Sequence, residues 1–291
     1  MDVRTSFPDW PNPAPYVPEN YSRRFNGPIL LRDALARSLN VPAVAMMHKV
    51  GIQSVLDTAH SMGISTLRGS GYGLSLTLGG GEVRLLDMAY AFSVFANNGQ
   101  MRGTPVPMDQ QEPGFRKLDP VAILQVTSPD GQALYEYSQP YRQQVIQPEV
   151  AYLITDILSD DQARIPGFGA NSALTLDGRP AGAKTGTTND YHDGWAVGYT
   201  PQYVTGVWVG NTDYQKMENA PGARTAAPIW QRVMTNLHAD LPVEAFERPD
   251  GLVTAVVDGV SGKLPTSASS WRKQEIFIDG TVPTEHDDVH R

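Results

Sequence analysis

Three stretches set close together constrain this chain most: Ala181 to Thr188, Trp195 to Tyr199 and Tyr203 to Val209 are β-branched, aromatic and glycine-rich, with polar turns between them. That pattern predicts a three-stranded antiparallel meander. Such a sheet has to bury its apolar surface against something, and the flanking sequence offers helices. After Pro28, the residues Leu31, Ala34, Leu35 and Ser38 share a helical face; after Pro42, so do Val44, Met47 and Val50, with Gly51 as the stop. Gln53 to Met62, Glu82 to Asn97 and Pro148 to about Ser159 read as further helices, and Ala226 to Leu237 as one whose buried stripe is Ile229, Trp230, Val233 and Leu237. The expected fold class is therefore α+β: an antiparallel sheet flanked by helices, with an all-helical lobe over residues 28 to 99.

The remainder divides into outer parts and an excursion. Residues 1 to 27 carry prolines at 8, 11, 13, 15 and 18 and are expected to run extended. Residues 28 to 239 form the main domain, in which 101 to 147 are loop-rich with a hairpin of Val121 to Thr127 and Gln132 to Tyr137 around Ser-Pro-Asp-Gly. Residues 240 to 291 hold a strand pair, Leu252 to Val257 with Glu275 to Ile278, and a polar tail expected to fray. Trp195, Trp208 and Trp230 are expected in the core.

Composition removes several classes of function. A net charge of -8 argues against a nonspecific nucleic-acid binder, and the absence of cysteine excludes disulfides, thiolate nucleophiles and iron–sulfur clusters. No apolar run approaches the ~18 residues of a spanning helix; the best, Leu85 to Ala96, contains Asp87. No signal-peptide pattern follows Met1. The six histidines include no His-Glu-x-x-His, so no metal is expected, and Gly79-Gly80-Gly81 reads as a tight turn rather than a phosphate cradle. No cofactor is expected.

The sharpest local feature is Lys184-Thr185-Gly186-Thr187 on the first strand of the meander, a combination whose Lys-Thr-Gly core arises by chance ~0.04 times in a chain of this composition. The lysine and two threonines are read as pointing the same way, with Gly186 admitting a ligand backbone. An edge strand so equipped can pair with an extended peptide and hold its terminal carboxylate. Ser38-Leu39-Asn40, at a turn between two helices, is weaker alone, and both residues could equally serve as helix caps. Gly178 to Thr185 is one residue from a Walker A loop, but Ala183 stands where glycine is needed and strands follow rather than a helix. The only Ser-x-x-Lys is Ser270 to Lys273, read as a solvated turn.

Together these motifs, with YVPENY, GPILLRDALARSLNVPAVA, YGLSLTLGGGEVRLLDMAYAFSVFANNG, PEVAYLITDIL and AGAKTGTTNDYHDGWAVGYTPQYVTGVWVGN, resemble the transpeptidase domain of class A penicillin-binding proteins from about residue 16 to 237, most like the 1C-type branch. The resemblance implies a serine-type D-Ala-D-Ala transpeptidase that cross-links peptidoglycan stem peptides and takes β-lactams as substrate mimics. In that scheme Ser38 relays a proton, Asn40 binds the substrate amide, and Lys184 assists proton transfer. Thr185 and Thr187 bind the terminal carboxylate, and the strand over Gly186, Thr187 and Thr188 holds the donor peptide. It also implies a nucleophile Ser-x-x-Lys upstream of Tyr16, with a glycosyltransferase domain and membrane anchor further upstream. On that reading residues 28 to 239 are a partial domain, acting outside the cytoplasm and reaching the membrane only through upstream sequence, and the isolated chain is inactive. A non-catalytic fragment that binds peptidoglycan or a partner is the alternative.

Overall fold

The computed structural model describes residues 1–10 and 12–290; Pro11 of the lead-in and Arg291 lie outside the described residues. In chain order the elements are α1 (Leu31–Ala36), α2 (Asn40–Val50), α3 (Ile52–Ser61) and α4 (Leu85–Ala96), then β1 (Gln100–Pro105), β2 (Leu118–Asp119), β3 (Gln125–Thr127), β4 (Ala133–Glu136) and β5 (Tyr141–Gln144). After these come α5 (Pro148–Leu158), α6 (Asp161–Phe168), β6 (Gly182–Thr187), β7 (Asp193–Tyr199), β8 (Val204–Gly210), α7 (Ala226–Leu237), β9 (Leu252–Asp258) and β10 (Arg272–Ile278).

The meander forms as an antiparallel sheet in the order β6-β7-β8, with Lys184 opposite Val197 and Trp195 opposite Trp208. Helices cover both faces. On one, α7 lies so close that a Cβ on Gly198 would stand 2.5 Å from the Trp230 ring, and Trp230 has no exposed surface. On the other, Tyr199 stacks among Phe92 and Phe95 of α4, and its hydroxyl meets Thr155 of α5 at 2.9 Å. A second core in the helical lobe centres on Val94 and Met101, and a third joins Phe7 of the lead-in to Val44, Met47 and Leu74.

The structure corrects several expectations. The buried stripe of α7 is Ala226, Ala227, Trp230 and Met234, while Ile229, Val233 and Leu237 are exposed. Small alanines beside Trp230 let the helix approach the sheet, which turns the neighbouring face outward. Trp195 and Trp208 are half-buried, because they sit opposite one another across β7 and β8 instead of beneath α7. The second helix begins at Asn40, two residues before Pro42, since proline is tolerated within a first turn. The polar tail does not fray: Asp287 is buried, and residues 264 and 286 form a bridge.

Two features attach the outer parts. Asp2 and Gly27 exchange backbone hydrogen bonds, as do Phe7 and Tyr16, so the lead-in is extended but pinned. Arg32 of α1, 7% exposed, meets Glu275 of β10, Asp156 of α5 and Asp160 just before α6, so one guanidinium ties the C-terminal strand pair to the helical lobe.

Candidate active site

Ser38 occupies the turn between α1 and α2 with φ of 58°, a left-handed conformation that a residue with a Cβ adopts at a cost. The turn is held by backbone hydrogen bonds from Ser38 N to Leu35 O at 3.1 Å and from Leu39 N to Ala34 O at 2.9 Å. It turns Oγ out of the helical lobe toward β6. There the Lys184 ammonium donates to Ser38 Oγ at 2.6 Å and to the Thr185 carbonyl at 2.8 Å. Residues 146 positions apart in the chain thus share a proton-bearing contact.

Burial pushes Lys184 down to about 8, and the charge of Arg164 adds to the effect. Arg164, on α6 and nearly inaccessible, is itself held by Asp161 and the Leu158 carbonyl. An amine near 8 is present in both protonation states close to neutral pH. It can therefore give a proton to, or take one from, the serine hydroxyl it touches.

Asn40 opens α2, yet neither it nor Ser38 caps that helix with its own side chain. The cap comes from the lead-in: Asn20 Oδ1 accepts from the backbone of Asn40 at 2.9 Å and of Val41 at 3.3 Å. Asn20 is 2% exposed, and its amide donates to Asp2 and to the Arg24 carbonyl. The Asn40 amide nitrogen donates to the Glu19 carbonyl at 2.8 Å, while its Oδ1 accepts no hydrogen bond among the described residues. Asn20 escaped the sequence reading because nothing in the spacing of a proline-rich segment marks a cap supplied from twenty residues away.

On β6 the expectation that Lys184 and both threonines point one way is corrected. Side chains alternate along a strand, so Thr185 and Thr187 share one face and Lys184 takes the other. Thr187 Oγ1 accepts from Gly222 N at 3.0 Å, which leaves its own O–H available to donate. Thr185 makes no side-chain hydrogen bond among the described residues. Thr188 is engaged by Asp193, accepting from its backbone at 2.8 Å and donating to its carboxylate at 3.2 Å. A Cβ on Gly222 would lie 2.3 Å from the Gly186 carbonyl, so only glycine fits behind the strand there. The turn at Gly79 adjoins the end of β6: a Cβ at Gly79 would stand 3.3 Å from the Thr188 methyl.

Among the described residues strand β6 is an edge of its sheet, paired only with β7. Its Lys-Thr pair lies inside the strand, with no helix N-terminus to receive phosphate as a P-loop requires. The remaining Ser-x-x-Lys stands apart in its bonding: Lys273 faces Asp33 at 3.5 Å, Ser270 is exposed, and neither hydrogen-bonds Ser38, Asn40 or Lys184.

Residues 2–235 match the family described as penicillin binding protein transpeptidase domain, and residues 248–291 match the C-terminal domain of penicillin-binding protein 1A. The chain belongs to the penicillin-binding protein transpeptidase family. It is 33% identical over 290 residues to penicillin-binding protein 1A of Clostridium botulinum, which takes in 95% of this chain and 32% of that protein. It is 34% identical over 269 residues to penicillin-binding protein 1A of Aquifex aeolicus, covering 92% of this chain and 34% of that one. The chain thus spans about a third of the length of these relatives. Both bear the 1A name, where the sequence reading leaned to the 1C-type branch. In structure it is similar to penicillin-binding protein 1A of Haemophilus influenzae, with a TM-score of 0.81 and 24% identity over 98% of this chain and 45% of that one. That likeness fixes the fold: mixed helix and antiparallel sheet arranged as in a transpeptidase domain.

Proposed function

We propose that this chain supplies the proton-relay and substrate-cradling half of a serine D-Ala-D-Ala transpeptidase that cross-links peptidoglycan stem peptides. The observation that carries the reading is the 2.6 Å contact between Lys184 and Ser38, with the amine held at about 8. Acyl transfer needs a serine oxygen to attack the penultimate D-Ala carbonyl, forming the ester as the C–N bond breaks and the departing D-Ala amine takes a proton. In this reading Ser38 and Lys184 deliver that proton. Asn40 Oδ1 accepts from the donor peptide amide, and the Thr185 and Thr187 hydroxyls donate to its terminal carboxylate. The open edge of β6 pairs with the peptide backbone, and the Thr187 N–H contributes to an oxyanion hole, an interaction worth ~10²- to 10³-fold in rate at comparable sites.

The nucleophile itself is proposed to come from a Ser-x-x-Lys segment of the longer protein, together with a glycosyltransferase domain. Action on the outer side of the membrane follows from the substrate; no helix among the described residues is long and apolar enough to cross a bilayer. The test uses the longer protein, a stem peptide ending in D-Ala-D-Ala, and detection of released D-Ala and cross-linked product. Penicillin-sensitive release that disappears in Lys184→Ala, in a variant that still unfolds cooperatively, is the expected result. Undiminished release by that variant would remove Lys184 from the chemistry. Binding of a stem peptide with no turnover would favour the non-catalytic alternative.

A further inference from the structure

The end of the chain packs against the turn that follows β9. Asp258, the last residue of that strand, has no exposed surface, and Asp287 is 7% exposed. Backbone groups fix both carboxylates. Asp258 Oδ1 accepts from Val260 N and Ser261 N, each at 2.9 Å, and from the Ser261 hydroxyl at 3.2 Å. Asp287 Oδ1 accepts from Val289 N at 3.2 Å, and its Oδ2 from His290 N at 3.1 Å. The other oxygen of Asp258, Oδ2, is buried without a hydrogen-bond partner among the described residues and lies 3.3 Å from His290 Nδ1. Asp287 Oδ2 lies 2.9 Å from the same nitrogen, and all three atoms sit within 4.8 Å of one another.

Some buried carboxylates of this fold meet a cation, and others, such as Asp2, are held by neutral amides. The buried carboxylates of Asp33 and Asp87 meet arginine or lysine, Arg37 and Lys273 for the first and Arg116 for the second. Lys263, on the turn after β9, pairs instead with Glu285 and Asp288. Among the described residues, two desolvated carboxylates are left facing one imidazole.

We propose that Asp258, Asp287 and His290 bind one divalent cation of the zinc or manganese class, clipping the C-terminal segment to the end of β9. Ligand atoms about 2.1 Å from a metal, at angles between octahedral and tetrahedral, lie roughly 3.0 to 3.4 Å apart; the 3.3 Å edge falls in that range, and the 2.9 Å edge, which His290 Nδ1 and Asp287 share as a hydrogen bond, lies just below it. Two carboxylate oxygens and one imidazole nitrogen, without thiolate, suit zinc or manganese. The partly exposed His290 leaves room for water to complete the shell. The sequence reading expected no metal: Asp287-x-x-His290 is visible in the sequence, but the third ligand comes from a strand end that only folding brings near.

The test uses the full chain without a histidine tag, stripped with EDTA and titrated with zinc or manganese chloride by calorimetry and thermal melting. One ion per chain and an EDTA-reversible rise in Tm are expected. Asp258→Asn should weaken binding at least tenfold and erase the rise in Tm. His290→Gln, at a partly exposed position near the terminus, keeps the fold and should do the same, which decides the matter if Asp258→Asn does not fold. Absence of saturable binding by either ion, or equal binding by His290→Gln, overturns the proposal.

Discussion

Replacing Lys184 by methionine should stabilise the chain at neutral pH and do so less as the solution becomes alkaline. In the fold the amine titrates at about 8, against 10.5 for an unperturbed lysine, so between these values the folded state binds fewer protons than the unfolded one. The penalty for keeping the charge is therefore full below pH 8 and shrinks as pH rises through the window toward 10.5. The gap corresponds to ~3.4 kcal/mol at full extent. Between pH 7 and pH 9 about 1.3 kcal/mol of it should vanish. Losing the hydrogen bond to Ser38 subtracts ~1 kcal/mol, leaving Lys184→Met ahead by roughly 2 kcal/mol at pH 7. Equilibrium urea unfolding of the parent and the variant at both pH values measures this, and the difference between the two cancels other titrating groups. A stability difference that does not change between pH 7 and 9 would refute the reasoning, because a lysine with an ordinary pKa produces no such drift.

Three further outcomes follow from named contacts. Ser38→Gly should be more stable than Ser38→Ala by ~1 kcal/mol, because glycine relieves the left-handed φ; equal unfolding midpoints would show that the turn is unstrained. Arg32→Met strips the shared cation from Glu275, Asp156 and Asp160 and should cost about 3 to 5 kcal/mol, with proteolysis entering first at β9 and β10; a loss under ~1 kcal/mol would show the cluster to be dispensable. Gly198→Ala would press a methyl to 2.5 Å of the Trp230 ring and should destabilise by about 1 to 3 kcal/mol with quenched or shifted tryptophan emission; unchanged emission and stability would argue that α7 sits less tightly on the sheet.

The meander was legible because β6, β7 and β8 pair with near neighbours in sequence, and their β-branched residues declare an extended backbone. Strand β1 was not: Gln-Met-Arg-Gly-Thr-Pro has no such run and takes its partner from Tyr141–Gln144, across the hairpin of β3 and β4. Helix α6 was hidden by the Pro166 and Gly167 within it, which local propensity counts against a helix that tertiary contacts nevertheless hold. The bounds of α7 were read correctly but its face was not, since large apolar residues drew the stripe and the small Ala226 and Ala227 decide it. At the site, Ser38, Asn40 and Lys184 could be picked out as residue types in order. The positive φ of Ser38 and the cap supplied by Asn20 are consequences of packing that no spacing encodes, whereas the opposed faces of Lys184 and Thr185 follow from their adjacency on one strand.

The most direct measurement is a double-mutant cycle on the acylation rate of the longer protein by a fluorescent penicillin, comparing Ser38→Ala, Lys184→Ala and the pair. If the two side chains pass one proton between them, each single change should slow labelling by ~10²-fold or more, and the double variant should be little worse than either alone. Labelling at the parental rate in either single variant, or losses that simply multiply in the double variant, would contradict a shared relay.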